Sequence, residues 1–247
     1  MKLQQQQDEA QPLLSESLTT ISLKQAAGRL AEMQADPQTR SLAGGQWLFL
    51  LSPAQAQRLA RGISIVLSPA AISVPFVLLV ALYHSPSLWH ALGFALLTLS
   101  FVSAGPLLYV VLSLRLGLVS DLDLSHRHER WHPFLFSLLS YALGLLLLLL
   151  LHAPRNLELI LGLTLLLGAL LLVITLRWKI SIHAATLGGA ATVLTAFYGL
   201  IFLPSFLLLV LVCWSRVALG RHTLAQVVSG ALLSIGLALG VLLLVGF

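Results

Sequence analysis

Apolar residues fall along this chain in seven long blocks separated by short polar connections: Gly62 to Tyr83, Ala91 to Leu114, Phe134 to Leu151, Leu157 to Leu176, Ala184 to Phe202, Ser205 to Leu219 and Thr223 to Phe247. Crossing the hydrocarbon of a bilayer takes about 20 apolar residues in a helix, and the blocks are close to that length. Five contain no charged residue; the fourth has Glu158 at its outer edge, and the sixth has Arg216 near its end, where a long side chain can snorkel to an interface. The pattern predicts an all-α, polytopic transmembrane bundle of six to seven helices. Gly188-Gly189 and Ala190-Ala191 in the fifth block permit close helix contact.

The first part of the chain is patterned differently. Residues 1–58 begin Gln-rich and continue with LKQAAGRLAEMQ from Leu23 to Gln34, whose apolar spacing fits a short amphipathic helix. No basic stretch leads into an apolar one here, so the segment does not read as a secretory signal. It reads as a partly ordered cytoplasmic extension, with residues 59–247 forming the transmembrane domain.

Composition narrows the class. Of 247 residues 58% are hydrophobic and 9% charged, with mean hydropathy +0.94, whereas a soluble domain carries about 25% charged residues. A soluble enzyme is excluded. The single cysteine, Cys213, lies inside an apolar block and excludes a disulfide-stapled module. The net charge of +5 comes from fourteen Lys and Arg spread along the chain without the aromatic neighbours of a nucleic-acid surface. Placing the N-terminus inside puts thirteen of these on the cytoplasmic face and leaves Arg155 outside, the asymmetry expected of an integral membrane protein in that orientation.

The same count separates trivial loops from polar ones. The outer connections are HSPSLWH, HAPRN and LPS. The inner ones read SLRLGLVSDLDLSHRHERWHP (Ser113 to Pro133), RWKISIH (Arg177 to His183) and SRVALGRH (Ser215 to His222). Together they would form a cationic basin at the cytoplasmic ends of the helices, suited to an anionic headgroup. Arg offers paired donors that match phosphate oxygens and Lys adds a point charge. His183 and His222 fall at the starts of predicted helices, where free N–H groups and the dipole favour an anion. Ser181 is placed to cap one of those helices, and His222 and Gln226 share a helix face.

KISIHAA from Lys179 and SRVALGRHTLAQ from Ser215 resemble the second and third motifs of the type 2 phosphatidic acid phosphatase superfamily, membrane lipid phosphatases related to vanadium haloperoxidases. That pattern is Ser-Gly-His, then Ser-Arg, five residues, His, three residues, Asp. Here Ser181-Ile182-His183 and Ser215-Arg216 with His222 occupy those places, and the resemblance covers about residues 115 to 247. It implies hydrolysis of a lipid phosphoester without a cofactor: His222 attacks phosphorus, His183 protonates the leaving oxygen, and Arg216 with Lys179, Arg127 or Arg130 neutralises the phosphoryl oxygens. Ser181 and Arg221 join the substrate-binding set. An isoprenoid phosphate or diphosphate is the expected substrate.

The chain departs from the family pattern at defined positions. Gln226 stands for the final Asp, which orients the histidine and balances its charge; Ile182 stands for Gly; and the first motif, Lys followed seven residues later by Arg-Pro, is absent, with Asp123 seven before Arg130. Outside residues 1–58 and Glu158, the only carboxylates are Asp121, Asp123 and Glu129, all in the first polar loop. Either one of them replaces the missing partner of His222, or Asp121 and Asp123 hold Mg2+ bridging a diphosphate, since hard oxygen ligands suit that ion. Two alternatives to the phosphatase follow: a Mg2+-dependent enzyme that ionises a prenyl diphosphate for transfer or cyclisation, and a catalytically silent phospholipid-binding protein.

Overall fold

The computed structural model describes residues 52–83, 85, 87–122 and 129–246. Residues 1–51 of the expected extension, its amphipathic segment among them, together with Asp123 and Arg127, lie outside the described residues. Among those described, every regular element is helical. They are α1 (Pro53–Val66), α2 (Pro69–Leu82), α3 (Leu88–Leu99), a π-helical turn (Ser100–Ala104), α4 (Gly105–Arg115), α5 (Trp131–Leu150), α6 (Arg155–Thr175), α7 (Ile182–Tyr198), a 3-10 turn (Leu200–Phe202), α8 (Ser205–Ala218) and α9 (Leu224–Val245). The boundary drawn at 58/59 falls inside α1.

Five helical stretches are long and apolar enough to cross a membrane: Leu88–Arg115, Trp131–Leu150, Arg155–Thr175, Leu200–Ala218 and Leu224–Val245. The bundle's outer surface is aliphatic, with Leu243, Leu207, Val210, Leu232 and Leu139 all exposed, as lipid contact requires. The protein is therefore built as an integral membrane protein. The block Gly62 to Tyr83 is not one straight span. It breaks between α1 and α2, which are bent by 44°, because Ser68 accepts a hydrogen bond from the Ala71 N–H as an N-cap and Pro69 takes the first helical position. A second helix thus starts inside an uninterrupted apolar run.

The fifth block is the centre of the bundle rather than a lipid-facing helix. In α7, Ala184, Ala185, Leu187 to Leu194 and Phe197 are all buried, so the helix is covered on every face. It packs most extensively on α9, then on α8 and α2. Small residues permit this. A Cβ added at Gly188 would lie 2.6 Å from Ser234 Oγ, and one added at Gly230 would lie 2.6 Å from the Ser181 carbonyl oxygen.

At the end of the bundle away from the Arg-rich loops, aromatic rings close the core. Tyr83 stacks on Phe197 at 4.7 Å, Tyr198 meets Phe202 at 5.0 Å, and the Tyr198 hydroxyl donates to the Leu79 carbonyl at 2.7 Å. Asn156 donates to the Val80 carbonyl beside them. Behind these rings Val80, Leu148, Leu157 and Leu161 are fully buried.

The α7–α9 approach makes a direct prediction. Gly230→Ala forces a methyl group onto a backbone oxygen and is expected to destabilise the detergent-solubilised protein by about 1–3 kcal/mol. Gly236→Ala, on the same helix but where an added Cβ meets nothing within 4 Å, is expected to leave the thermal unfolding midpoint unchanged or slightly raised; equal midpoints for the two variants would contradict the packing.

Candidate active site

The third polar loop owes its shape to a glycine. α8 ends in a Schellman turn: Gly220 adopts φ +65°, its N–H donates to Val217 O at 2.9 Å, and the Arg221 N–H donates to Arg216 O at 3.0 Å. The His222 N–H also reaches Arg216 O, at 3.2 Å. Five residues between Arg216 and His222 are therefore one closed helix end, which folds the histidine back over the arginine.

Immediately afterwards α9 begins with a capping box. Thr223 Oγ1 accepts from the Gln226 N–H, and Gln226 Oε1 accepts from the Thr223 N–H at 3.2 Å. This contact orients the amide, because only its oxygen can accept from a backbone N–H. The same oxygen lies 3.1 Å from His222 Nδ1, so Nδ1 carries the proton and Nε2 is the basic nitrogen. Gln226 thus holds the imidazole in one tautomer. The two described loop carboxylates are committed elsewhere: Glu129 accepts from the Ser120 N–H and hydroxyl, and Asp121 pairs with Arg221 at 3.9 Å.

The second polar loop is joined to this one through backbone. Ser181 caps α7 by accepting from the Ala184 N–H, and its own N–H donates to Gln226 O at 3.3 Å. Arg130 reaches over from the first loop and donates to Ile180 O at 3.3 Å. Ile182 sits at the first helical position of α7 and packs beside Phe134, Leu171 and Ile180, so the Gly of the family pattern is not demanded by backbone conformation here.

Arg130, Arg216, Arg221, His183 and His222 line one cavity of about 890 Å3. Arg130 and Arg216 are 1% and 2% exposed and His222 7%. Buried cations of this kind require anionic or dipolar company. Arg216 finds part of it in Ser64, whose hydroxyl accepts at 2.7 Å. That residue, with Gln57 and Arg61 of α1 on the same cavity wall, was not among the sequence candidates. The one available signal was a polar side chain four residues before the Ser-Pro break. Lys179 stands close enough to Arg130, Arg216 and Arg221 that burial and these three guanidinium groups lower its pKa, against a smaller opposing effect of Asp121. His222 is depressed to about 3 by burial first and then by Lys179, Arg130 and Arg216, while the Gln226 hydrogen bond pulls weakly the other way. It is a neutral base at physiological pH.

Among the described residues no three His, Cys, Asp or Glu side chains cluster as a metal site. Asp121 faces Arg221, and Asp123, the other ligand considered for Mg2+, lies outside the described residues. No family model, curated protein or solved structure matches the chain.

The depressed histidine predicts how stability varies with pH. The unfolded imidazole takes up its proton near 6.5 and the folded one only near 3. Between those values the unfolded state binds more protons, so stability falls as pH drops through the window. The thermal midpoint in detergent is expected to decline from pH 7.5 to pH 4.5, and His222→Asn to remove part of that decline; an unchanged slope in the variant would show that His222 is not the group responsible.

Proposed function

We propose that this protein is an integral membrane phosphohydrolase that cleaves a lipid phosphate or diphosphate, an isoprenoid one in particular, at the basic end of its helix bundle. The observation that carries the reading is His222: Gln226 and the capping box hold its Nδ1–H, and its basic Nε2 belongs to a buried imidazole surrounded by Arg130, Lys179 and Arg216. Neutral imidazole is a nucleophile, and the cations are the groups that would stabilise charge building on a transferring phosphoryl group.

In the first step Nε2 bonds to phosphorus as the bond from phosphorus to the leaving oxygen breaks. His183, on the same cavity wall, gives the leaving oxygen its proton. In the second, water attacks the phosphohistidine, its proton passes to His183, and phosphate departs with His222 restored. Arg130, Lys179 and Arg216 neutralise the phosphoryl oxygens in both steps, and the N-termini of α7 and α9 present free N–H groups beside them. The chemistry needs no metal. On the thirteen-to-one distribution of basic residues this end faces the cytoplasm.

Gln226 sets the expected pH behaviour. It fixes the tautomer yet cannot balance an imidazolium. In the serine-protease triad, replacing the corresponding carboxylate lowers kcat by about 10⁴-fold; that enzyme needs the carboxylate to repair the tautomer as well, a task Gln226 performs here. Purified protein is expected to release phosphate from farnesyl phosphate or diphosphate in EDTA, to be inhibited by vanadate, and to lose turnover in His222→Ala. Gln226→Glu, which keeps the side-chain length and both accepted hydrogen bonds, is expected to raise the His222 pKa and shift the acid limb of the kcat profile upward. Release of diphosphate that requires Mg2+ would instead move the chemistry to the first loop, and binding without release would leave a lipid-binding protein.

A further inference from the structure

The cavity that holds the two histidines does not end at them. Its lining continues along α2, the π-helical turn, α5, α6 and α7, and it stops on each at Val77, Val102, Tyr141, Ile160 and Val193. Three of these stopping points lie at similar depths, while Ile160 lies deeper, fifteen residues along α6 from Thr175 at the basic end. Counted from the basic end, Val193 is eleven residues along α7 from Ile182, Tyr141 ten along α5 from Trp131, and Val77 eight along α2 from Pro69. At 1.5 Å per residue the lined depth is about 12–16 Å on those three helices, which close the well, and about 22 Å on α6. The floor is shut. Val77, Ile160 and Val193 are 1%, 2% and 1% exposed, and beneath them stand the stacked Tyr83–Phe197 pair and fully buried Val80, Leu157 and Leu161.

Hydroxyls on the wall do not make it a polar channel. Ser73 donates to Ala70 O, Ser137 to Pro133 O and Thr164 to Ile160 O, so each has spent its proton on its own helix. What remains is a largely apolar well, with Ser103, Tyr141 and Thr186 also on its wall, and a cationic mouth.

We infer that this well is the tail site of the substrate and measures its length. It takes a single isoprenoid chain of about fifteen carbons, whose extended length is of the order of the 16 Å depth given by the helix rise, and Val193 with Ile160 forms the stop. This inference rests on the phosphohydrolase reading for the identity of the headgroup, and the tail site itself is testable without it. A longer chain has to fold back inside the well or leave carbon at its mouth. Either costs contacts worth about tenfold per misplaced group or more.

The test uses the full-length protein in detergent with geranyl, farnesyl and geranylgeranyl monophosphates and dioleoyl phosphatidic acid. Phosphate release is measured on the wild type, and binding by thermal shift on His222→Ala. Farnesyl phosphate is expected to exceed geranylgeranyl phosphate and the diacyl lipid by about tenfold in kcat/KM. Val193→Phe, and Leu163→Phe reaching into the same well from α6, are expected to move the optimum to the geranyl compound; Ile160→Ala with Val193→Ala is expected to move it to geranylgeranyl. Equal use of all tails, a preference for the diacyl lipid, or an optimum that neither folded filling variant shifts overturns the tail site while leaving a working phosphatase. Absence of release from every lipid, with length-dependent binding to His222→Ala that Val193→Phe shortens, overturns the phosphatase and leaves the tail site standing.

Discussion

The close approach of α7 and α9 is the constraint from which the site follows. With no side chain at Gly230, the Ser181 carbonyl sits against the α9 backbone, and one hydrogen bond from the Ser181 N–H to Gln226 O then locks the two helix starts together. Inside a bilayer helices gain nothing from hiding apolar surface from one another, so dense contact between small residues is what holds them. That contact also does chemical work. It sets the first turns of two helices, each with its free N–H groups and its histidine, next to each other at one end of the bundle.

Bringing cations to the same place is costly, and the architecture limits the cost with dipoles. Arg130 donates to Ile180 O and Arg216 to Ser64 Oγ, neutral acceptors that orient each guanidinium. The one described carboxylate facing the cluster, Asp121, pairs with Arg221, the partly exposed member. Burial first, and then Lys179, Arg130 and Arg216, keep His222 unprotonated. A carboxylate at position 226 would place a negative charge beside His222, whereas glutamine orients the imidazole without one.

Much of this could be read from the order of residues. Apolar blocks located the helices because burial in lipid tolerates few charges, and Ser181, His183, Arg216 and His222 were recognisable because helix starts and helix ends have local rules. The pairing of His222 with Gln226 followed from their spacing. Ser64 was out of reach because its partner Arg216 is 152 positions away, and no local pattern encodes such a contact. The break at Ser68-Pro69 was hidden by apolar neighbours on both sides, although the N-cap and proline that cause it were in view. Gln226 looked like a loss when compared with an aspartate; its second role, accepting from Thr223, appears only when the capping box is drawn in three dimensions.

The two ends of the cavity impose opposite demands on the same helices. Near the mouth α7 must stay close to α9, and small residues serve that purpose. Toward the floor it must fill space, and Val193, Leu194 and Phe197 pack there with α2 and α6. The change from small to large along one helix makes the bundle open at the cationic end and tight at the aromatic end. A uniformly small helix would leave the core unsealed, and a uniformly large one would push Ser181 away from Gln226. The taper is thus the geometric reason that a cationic cavity and a sealed aromatic end can share one bundle.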